Sequence, residues 1–288
     1  MLLTVHTLAL AGAICSAAAT IWIRQGLRES HFYAGFWINL TVGVVGLWGL
    51  VFLLTGGEAL QLKALPFFIL SGLIGTAFGR LLRFVSIDKV GAAVAASVIN
   101  LNPFIATALA ILLLGERVTL PILGGTLVIV VGTVLLSLSG QQGGFRVSHL
   151  TYPFVSAACF GVVAVIRKVG LQQAGPLFGA AVNMTTAFIA FTVCMLMAGQ
   201  RSTLVCRGRS LLYFVAAGVA ENAGVFLGIV ALSYGEVSIV VPLTGTAPLF
   251  VLVMTYVFLR GVERLSWRIV TGSILIVLGV CLLTVSPS

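Results

Sequence analysis

Charged side chains are scarce in this sequence: Asp, Glu, Lys and Arg together make up 8% of its 288 residues. Soluble globular domains average about 25% charged residues, so this chain cannot form a water-facing surface of normal composition. The net charge of +9 does not indicate nucleic-acid binding, because the basic residues stand mostly singly or in pairs at helix ends without interleaved aromatic residues. The composition therefore excludes a soluble protein, and no nucleic-acid partner is predicted.

The residues that build catalytic centres are also few. Asp88 is the one aspartate, which excludes an intramembrane protease with two catalytic aspartates. The chain contains neither H-E-x-x-H nor G-x-S-x-G, and its histidines and cysteines are scattered without the spacing of metal ligands. We therefore predict that the protein is not an enzyme and has no metal or cofactor. A membrane-embedded enzyme and an ion channel are the alternatives from other functional classes.

Long hydrophobic runs are abundant instead, since 60% of the residues are hydrophobic. Backbone groups in hydrocarbon must find hydrogen-bond partners within their own segment, which favours helices. The first run continues to Ile23 with no basic segment before it, so it is predicted to be a helix and not a removed signal peptide. At about 20 residues per membrane crossing, the runs predict ten helices, at about 3–23, 32–54, 64–86, 90–114, 119–139, 150–168, 177–199, 210–233, 236–259 and 267–285.

The second half of the sequence repeats the first. Residues 1–140 and 145–288 each hold five predicted helices, and a polar glycine-rich stretch joins them. Because five is an odd number, the second copy must enter the membrane from the opposite side, so the copies are predicted to be inverted repeats, a construction typical of secondary transporters. The pairs that match at shifts of 144 to 147 positions include Gly35 and Gly179, Asn39 and Asn183, Gly72 and Gly218, Pro103 and Pro248, Glu116 and Glu263, Gly125 and Gly272, and Gly132 and Gly279.

A run of small residues before a proline, followed by a Gly-Glu-Arg-x-Thr turn, occupies 91–103 and 115–119, and Gly125 and Gly132 come next. This arrangement resembles the EamA family of the drug/metabolite transporter superfamily over essentially the whole chain. The second copy has a similar layout, but Val262 and Ser266 replace the glycine and the threonine of the turn. The resemblance implies a ten-helix transporter, usually an exporter of amino acids or other small metabolites, with a central cavity lined by the third and fourth helices of each half.

The expected fold class is therefore an all-α integral membrane protein with ten transmembrane helices as two inverted five-helix repeats around a central cavity, in the inner or plasma membrane. The expected function is secondary active export of small polar metabolites such as amino acids by alternating access, coupled to an ion or a proton. Uptake or exchange of an organic anion is the alternative. The expected partners are the substrate and the lipid bilayer, and a monomer is favoured over a dimer. The distribution of Lys and Arg among the loops predicts termini outside, whereas the resemblance implies termini inside.

Two ionisable residues lie deep in predicted helices, where each costs about 2.5–3.5 kcal/mol to insert. Glu221 has no basic residue on its own predicted helix, so it is a candidate ligand for a substrate amine, a proton-coupling carboxylate or half of a structural ion pair. Arg80 lies on the repeat-equivalent helix, and we expect it to bind the carboxylate of a zwitterion whose ammonium Glu221 binds; direct pairing of the two is the alternative. Thr76 and Arg83 share the helical face of Arg80, although Arg83 is close enough to the helix end to extend to the membrane interface.

A second set of polar residues precedes a proline in both copies, on predicted helices 4 and 9. Proline removes a helical hydrogen bond, and broken helices mark binding sites or hinges in transporters. The predicted cavity-lining residues are Asn100, Asn102, Thr244 and Thr246, with Asn222 beside Glu221, and the predicted hinges are Pro103, Pro242 and Pro248.

Three further groups have structural interpretations. Asn39 and Asn183 are predicted to make interhelical hydrogen bonds, with substrate contact as the alternative. Glu116 is predicted to stabilise the N-terminus of the helix that follows it. The tryptophans are interpreted as anchors at the membrane interface, with an aromatic wall for an apolar substrate as the alternative; they are Trp22, Trp37, Trp48 and Trp267.

Overall fold

The computed structural model describes residues 2–55, 62–90, 95, 98–116, 118–138, 146–258 and 267–285, which are mainly helical and contain no β-strand. The glycine-rich stretch at 140–144, the turn at 263–266, Arg117 and most of 91–97 lie outside these residues. The helices are α1 (Leu2–Gly26), α2 (Phe32–Thr55), α3 (Leu62–Val90), α4 (Asn102–Leu114), α5 (Leu120–Leu138), α6 (Thr151–Leu171), α7 (Pro176–Met197), α8 (Arg209–Tyr234), α9 (Val237–Thr244), α10 (Ala247–Phe258) and α11 (Trp267–Val285).

Six of the described helices, α1, α2, α3, α6, α7 and α8, are long and apolar enough to cross a membrane. Large apolar side chains are exposed, such as Leu53 at 81% and Met197 at 84%, whereas Arg80 and Glu221 are buried. This distribution is the reverse of that in a soluble protein, and it fits a bundle surrounded by lipid. The described residues thus form an all-helical membrane protein, and the count of ten spanning helices stays a prediction.

Predicted helices 4 and 9 are both interrupted in the structure. A turn at 100–101 precedes α4, and a turn at 245–246 separates α9 from α10. Pro103 and Pro248 follow these turns and lie in the first turn of α4 and α10, where the missing N–H group of proline leaves no helical hydrogen bond unmade. They therefore begin helices instead of bending them, whereas Pro242 lies inside α9.

The two interruptions contact each other. Nδ2 of Asn100 donates a hydrogen bond to the carbonyl oxygen of Gly245 at 2.7 Å. A Cβ atom at Gly245 would also lie 3.5 Å from Cγ of Pro103. Asn100 and Gly245 match at a shift of 145 positions, so each break meets its own repeat equivalent.

Glycines bring α5 and α11 together. A Cβ atom at Gly132 would lie 2.7 Å from the carbonyl oxygen of Gly272, and one at Gly279 would lie 2.7 Å from that of Gly125. Because the later glycine of α5 meets the earlier glycine of α11, the two helices run antiparallel. Small residues of this kind let membrane helices approach closely. Here each glycine contacts the repeat equivalent of the other glycine on its own helix, so Gly132 meets Gly272, the match of Gly125.

A second pair of close approaches positions the polar interior. A Cβ atom at Gly72 of α3 would lie 2.6 Å from the carbonyl oxygen of Asn183 on α7. On the other side, a Cβ atom at Gly218 of α8 would lie 3.3 Å from Cα of Asn39 on α2. The repeat matches Gly72 with Gly218 and Asn39 with Asn183. Each asparagine is therefore pressed against the third helix of the opposite repeat.

Candidate functional site

Arg83 and Glu221 form an ion pair in the interior of the bundle. Nη1 of Arg83 lies 2.5 Å from Oε1 of Glu221, and the two side chains are 13% and 5% exposed. Nη2 of Arg83 donates a hydrogen bond to Oγ1 of Thr20 on α1 at 2.7 Å. The sequence places Arg83 close enough to the helix end to extend to the membrane interface, but in the structure its guanidinium turns to Glu221 and Thr20 instead. The reason is that α8 supplies a carboxylate with which it pairs.

Arg80 binds two neutral amides instead of Glu221. Its Nη1 donates to Oδ1 of Asn39 at 2.9 Å and to Oδ1 of Asn222 at 3.2 Å. Nδ2 of Asn222 in turn donates to the backbone oxygens of Asn39 and Gly218, which fixes the amide that receives Arg80. The direct Arg80–Glu221 pair considered from the sequence is not formed, because Arg83, one turn further along α3, takes the carboxylate. We call these residues the Asn39 cluster: Thr20, Asn39, Arg80, Arg83, Glu221 and Asn222.

A second polar cluster surrounds Asn183. Nδ2 of Asn183 donates to Oγ1 of Thr76 at 2.9 Å, and its Oδ1 accepts from Oγ of Ser71 at 2.7 Å. Arg167 of α6 donates through Nε to Oγ of Ser71 at 2.8 Å and through Nη2 to Thr76 and Asn183 at 3.4 and 3.3 Å. We call these four residues the Asn183 cluster.

Sequence reasoning missed Arg167. It stands beside Lys168 at the end of the predicted helix 150–168, where a basic pair is an ordinary feature of a helix end. In the structure α6 continues to Leu171, so Arg167 lies one turn further inside than predicted. The available signal was the match of Asn39 with Asn183, which indicates that both asparagines need polar neighbours.

The repeat relates the amide contacts of the two clusters but not their charges. Thr76 matches Asn222 at a shift of 146 positions, as Gly72 matches Gly218. The Asn39–Asn222 contact therefore has its equivalent in the Asn183–Thr76 contact. By the same alignment Gly75 stands where the second copy has Glu221, and Phe226 stands where the first copy has Arg80. The ionised groups are additions to a shared polar framework.

The two clusters together hold more positive than negative charge. They contain three guanidinium groups, of Arg80, Arg83 and Arg167, and one carboxylate, of Glu221. Among the described residues, no carboxylate lies within 4.0 Å of Arg80 or Arg167. Hydrogen bonds to amides and hydroxyls occupy some of their donors, but within the described part of the chain they leave two positive charges without a counter-charge.

Two buried polar atoms of the Asn39 cluster lack a hydrogen-bond partner in the described part of the chain. They are Nδ2 of Asn39 and Oε2 of Glu221. Buried polar atoms in folded proteins nearly always have partners, and an unpaired one costs about 1–3 kcal/mol. One donor and one acceptor thus remain beside Arg80 for a polar ligand.

Comparison with known proteins assigns the family. The sequence profile of the EamA-like transporter family matches the chain twice, at residues 3–138 and 149–285. The chain belongs to this family. The chain is 24% identical over 284 residues to an "Uncharacterized transporter" of Archaeoglobus fulgidus, covering 97% of this chain and 98% of that one. A solved structure described as "Crystal structure of protein" has a TM-score of 0.78 at 19% identity and covers 96% of this chain and 95% of its own, so it shares the fold.

Membership in the EamA-like family bears on the role of the two polar clusters. The chain is a multi-pass membrane transporter, so a charged interior is a candidate path or binding site for a solute. Three of the predicted cavity residues next to the helix breaks make hydrogen bonds to the backbone of their own segment. Asn102 donates to the backbone oxygen of Ile99, and Thr244 and Thr246 donate to backbone oxygens three residues earlier. The described contacts bring none of them to the two clusters.

Glu116, in the first half of the chain, caps the N-terminus of α9 in the second half. Its Oε1 and Oε2 accept from the backbone N–H groups of Val237 and Ser238 at 2.9 and 3.1 Å. The prediction that Glu116 stabilises the helix directly after it is wrong, because its carboxylate reaches the N-terminus of α9. Lys168 donates to the carbonyl oxygens at the end of α8. Burial and the charge of Glu116 raise the pKa of Glu236, and Lys168 opposes the shift.

Two of the tryptophans use their indole nitrogens in hydrogen bonds between helices. Nε1 of Trp37 donates to Oγ1 of Thr192 at 3.1 Å, and Nε1 of Trp48 donates to Oγ1 of Thr185 at 2.7 Å. Both bonds join α2 to α7, the helices that bear the two asparagines. They hold the two polar clusters in one bundle.

Proposed function

We propose that this protein is a secondary active transporter of small metabolites that carry a carboxylate or a comparable anionic group. The observation that supports this most strongly is the excess of two guanidinium charges in the interior of the membrane-spanning bundle. A buried ion without a counter-charge is unfavourable by several kcal/mol. An anionic solute that enters the bundle relieves this cost, whereas a cationic solute increases it.

Guanidinium groups suit this task because their planar fork of N–H donors matches the two oxygens of a carboxylate. In our proposal Arg80 is the main anion ligand, since Arg83 already binds Glu221. Thr76, Asn222 and Arg83 complete the binding side. Asn100, Asn102, Thr244 and Thr246 line the cavity further along. The hinges are the breaks that Pro103 and Pro248 follow, together with Pro242 inside α9.

Alternating access is the proposed mechanism, through two inverted repeats at 1–140 and 145–288. Three features of the packing support the inversion. Equivalent helices α5 and α11 contact antiparallel through glycines that both copies contain, equivalent helix breaks contact each other, and each asparagine is pressed against the third helix of the opposite repeat. Ten crossings follow from the same reasoning, in the inner or plasma membrane. A structure of this kind opens to either side when its halves exchange conformations.

An amino acid is the second candidate substrate, and Glu221 is the reason. Its Oε2 is buried without a hydrogen-bond partner among the described residues, so it offers an acceptor to a substrate ammonium while Arg80 binds the carboxylate. The same atom is also the candidate acceptor for a coupled proton. Export is the proposed direction, because the family resemblance implies it.

Counterflow into proteoliposomes tests the proposal. Vesicles with the purified protein are loaded with unlabelled solute and diluted into labelled lactate, succinate, alanine or putrescine. We expect saturable accumulation of at least one of the first three and none of putrescine. Arg80→Gln should abolish it, whereas Arg24→Gln should not, because Arg24 is an exposed arginine near the end of α1. Accumulation of putrescine alone, or of no solute, would contradict the proposal, and a single-channel conductance would indicate a channel.

A further inference from the structure

We infer that Arg80 and Arg167 form a two-guanidinium site that spans both polar clusters and binds a substrate with two anionic groups, such as an α,ω-dicarboxylate. The inference rests on the proposed function, because it names the substrate class of the same transporter. It goes further in assigning one anionic group of the substrate to the Asn39 cluster and the other to the Asn183 cluster. Arg167, which no sequence motif indicated, becomes a ligand equal in importance to Arg80.

The first step is that the two guanidinium groups are near each other but held separately. Nη2 of Arg167 lies 3.4 Å from Oγ1 of Thr76, and Thr76 is one helical turn before Arg80 on the same face of α3. Arg80 is held at Asn39 and Asn222, and Arg167 is held at Ser71, Thr76 and Asn183. The bonds come from different helices, so the two cations cannot merge into one site for a single carboxylate without breaking them.

The second step is that each guanidinium keeps donors for a ligand. Nη1 is the atom through which Arg80 contacts its amides, and its Nε and Nη2 have no acceptor in the described part of the chain. Arg167 uses Nε and Nη2, and its Nη1 has no acceptor there. Arg80 is therefore held by the protein through one nitrogen and Arg167 through one edge, and the other donors remain for a carboxylate.

The third step is the balance of charge. The carboxylate of Glu221 pairs with the guanidinium of Arg83 at 2.5 Å. One positive charge then remains in each cluster, on Arg80 in one and on Arg167 in the other. A monoanion would neutralise one of them and leave the other buried without a partner. A dianion neutralises both, so the difference in binding between a dianion and a monoanion of the same length should be large.

The probe is a matched series of ligands. Succinate, glutarate and adipate are compared with their half-amides, succinamate, glutaramate and adipamate, which keep the chain length and lose one charge. Binding to the purified full-length protein in detergent is measured by titration calorimetry, and transport by competition with labelled solute in proteoliposomes. We expect at least one dicarboxylate to bind with a Kd about tenfold or more below that of its half-amide, since each charge-assisted pair adds substantially to affinity.

Removal of either arginine should remove this preference. In Arg80→Gln and in Arg167→Gln, the ratio of the two Kd values should fall to about one, because one cation remains for one carboxylate. Arg24→Gln should keep the full ratio. Should the glutamine variants fail to fold, the ratio in the unmodified protein still decides, and Arg167→Lys tests the site with its charge retained.

The outcomes separate the inference from the proposed function. If dicarboxylates and half-amides bind equally well, the two-cation site is refuted while transport of anions stands. A preference for the dicarboxylate that survives in both glutamine variants would also refute it, because the second charge would then be recognised elsewhere. If no carboxylate binds or is transported, the proposed function fails and the inference fails with it.

Discussion

The Asn39 cluster and the Asn183 cluster are built on the same plan and differ in their charges. In both, an asparagine of the second helix of one repeat contacts the third helix of the other, through Asn222 in one case and Thr76 in the other. The Asn39 cluster contains an ion pair and a further arginine, whereas the Asn183 cluster contains an arginine bound by neutral groups only. The contacts that both clusters contain hold the halves together. We expect the charged residues, which the repeat does not duplicate, to recognise the substrate.

The largest expected effect follows from the one ion pair that distinguishes the clusters. Glu221→Ala leaves the Arg83 guanidinium buried without a carboxylate, and breaking a buried pair in this way costs about 3–5 kcal/mol. We expect the melting temperature in detergent to fall sharply. The equivalent position in the first copy is Gly75, where the structure has no charge to lose.

The double variant separates this pair from the rest of the cluster. Arg83→Ala with Glu221→Ala removes both charges, so it should be less destabilised than Glu221→Ala alone. If the double variant melts well below Glu221→Ala, the two residues do not act as a pair. In that case the contrast between the clusters does not depend on this interaction.

The next largest effect on stability is expected from replacing Gly72 or Gly218, the glycines at which α3 and α8 approach the helices of the opposite repeat. Gly72→Ala places a Cβ atom 2.6 Å from the backbone oxygen of Asn183, and Gly218→Ala places one 3.0 Å from Cβ of Val42. Overpacking of this kind costs about 1–3 kcal/mol, and a backbone oxygen yields less than a side chain. Gly72→Ala should therefore lower the melting temperature more than Gly218→Ala. Gly124→Ala is the matched control, because nothing lies within 4 Å of its added Cβ atom.

Replacement of Asn39 and replacement of Asn183 should also differ in their effect on stability. The side chain of Asn183 exchanges hydrogen bonds with Ser71, Thr76 and Arg167, whereas that of Asn39 accepts one from Arg80. Asn183→Ala thus leaves more buried groups unpaired, at about 1–3 kcal/mol for a group without its partner. We expect a larger drop in melting temperature for Asn183→Ala than for Asn39→Ala. Equal drops would mean that the extra contacts of Asn183 add no stability.

The sequence predicts the framework of this molecule better than its charges. Apolar runs and matched glycines, prolines and asparagines follow from composition and from the repeat, because membrane length and close helix packing constrain them directly. The ion-pair partner of Glu221 could not be predicted from the sequence in this way. Arg80 and Arg83 are one turn apart on α3, and which of them reaches α8 depends on the rotation of the helix about its axis. Local periodicity does not determine that rotation.

Two further residues show the same limit. Because capping is usually local, the sequence predicts that Glu116 stabilises the next helix, yet its carboxylate caps α9 at Val237, 121 residues away along the chain. Arg167 lies next to the predicted end of its helix at residue 168, but the helix continues to Leu171, so this arginine is further inside the bundle than the sequence indicates. Contacts between the halves depend on how the halves are packed, and a single sequence contains only indirect signs of that packing.

The smallest effect is expected where the two clusters should respond alike. Trp48→Phe removes the indole N–H group that donates to Oγ1 of Thr185 at 2.7 Å, and Trp37→Phe removes the one that donates to Thr192 at 3.1 Å. Loss of one neutral hydrogen bond costs about 0.5–1.5 kcal/mol, so each variant should melt slightly below the unmodified protein. Because both bonds join α2 to α7, neither loss favours one cluster over the other. The Kd ratio between dicarboxylate and half-amide should therefore stay unchanged in both variants, and a change in that ratio would mean that the α2–α7 contact sets the separation of the two arginines.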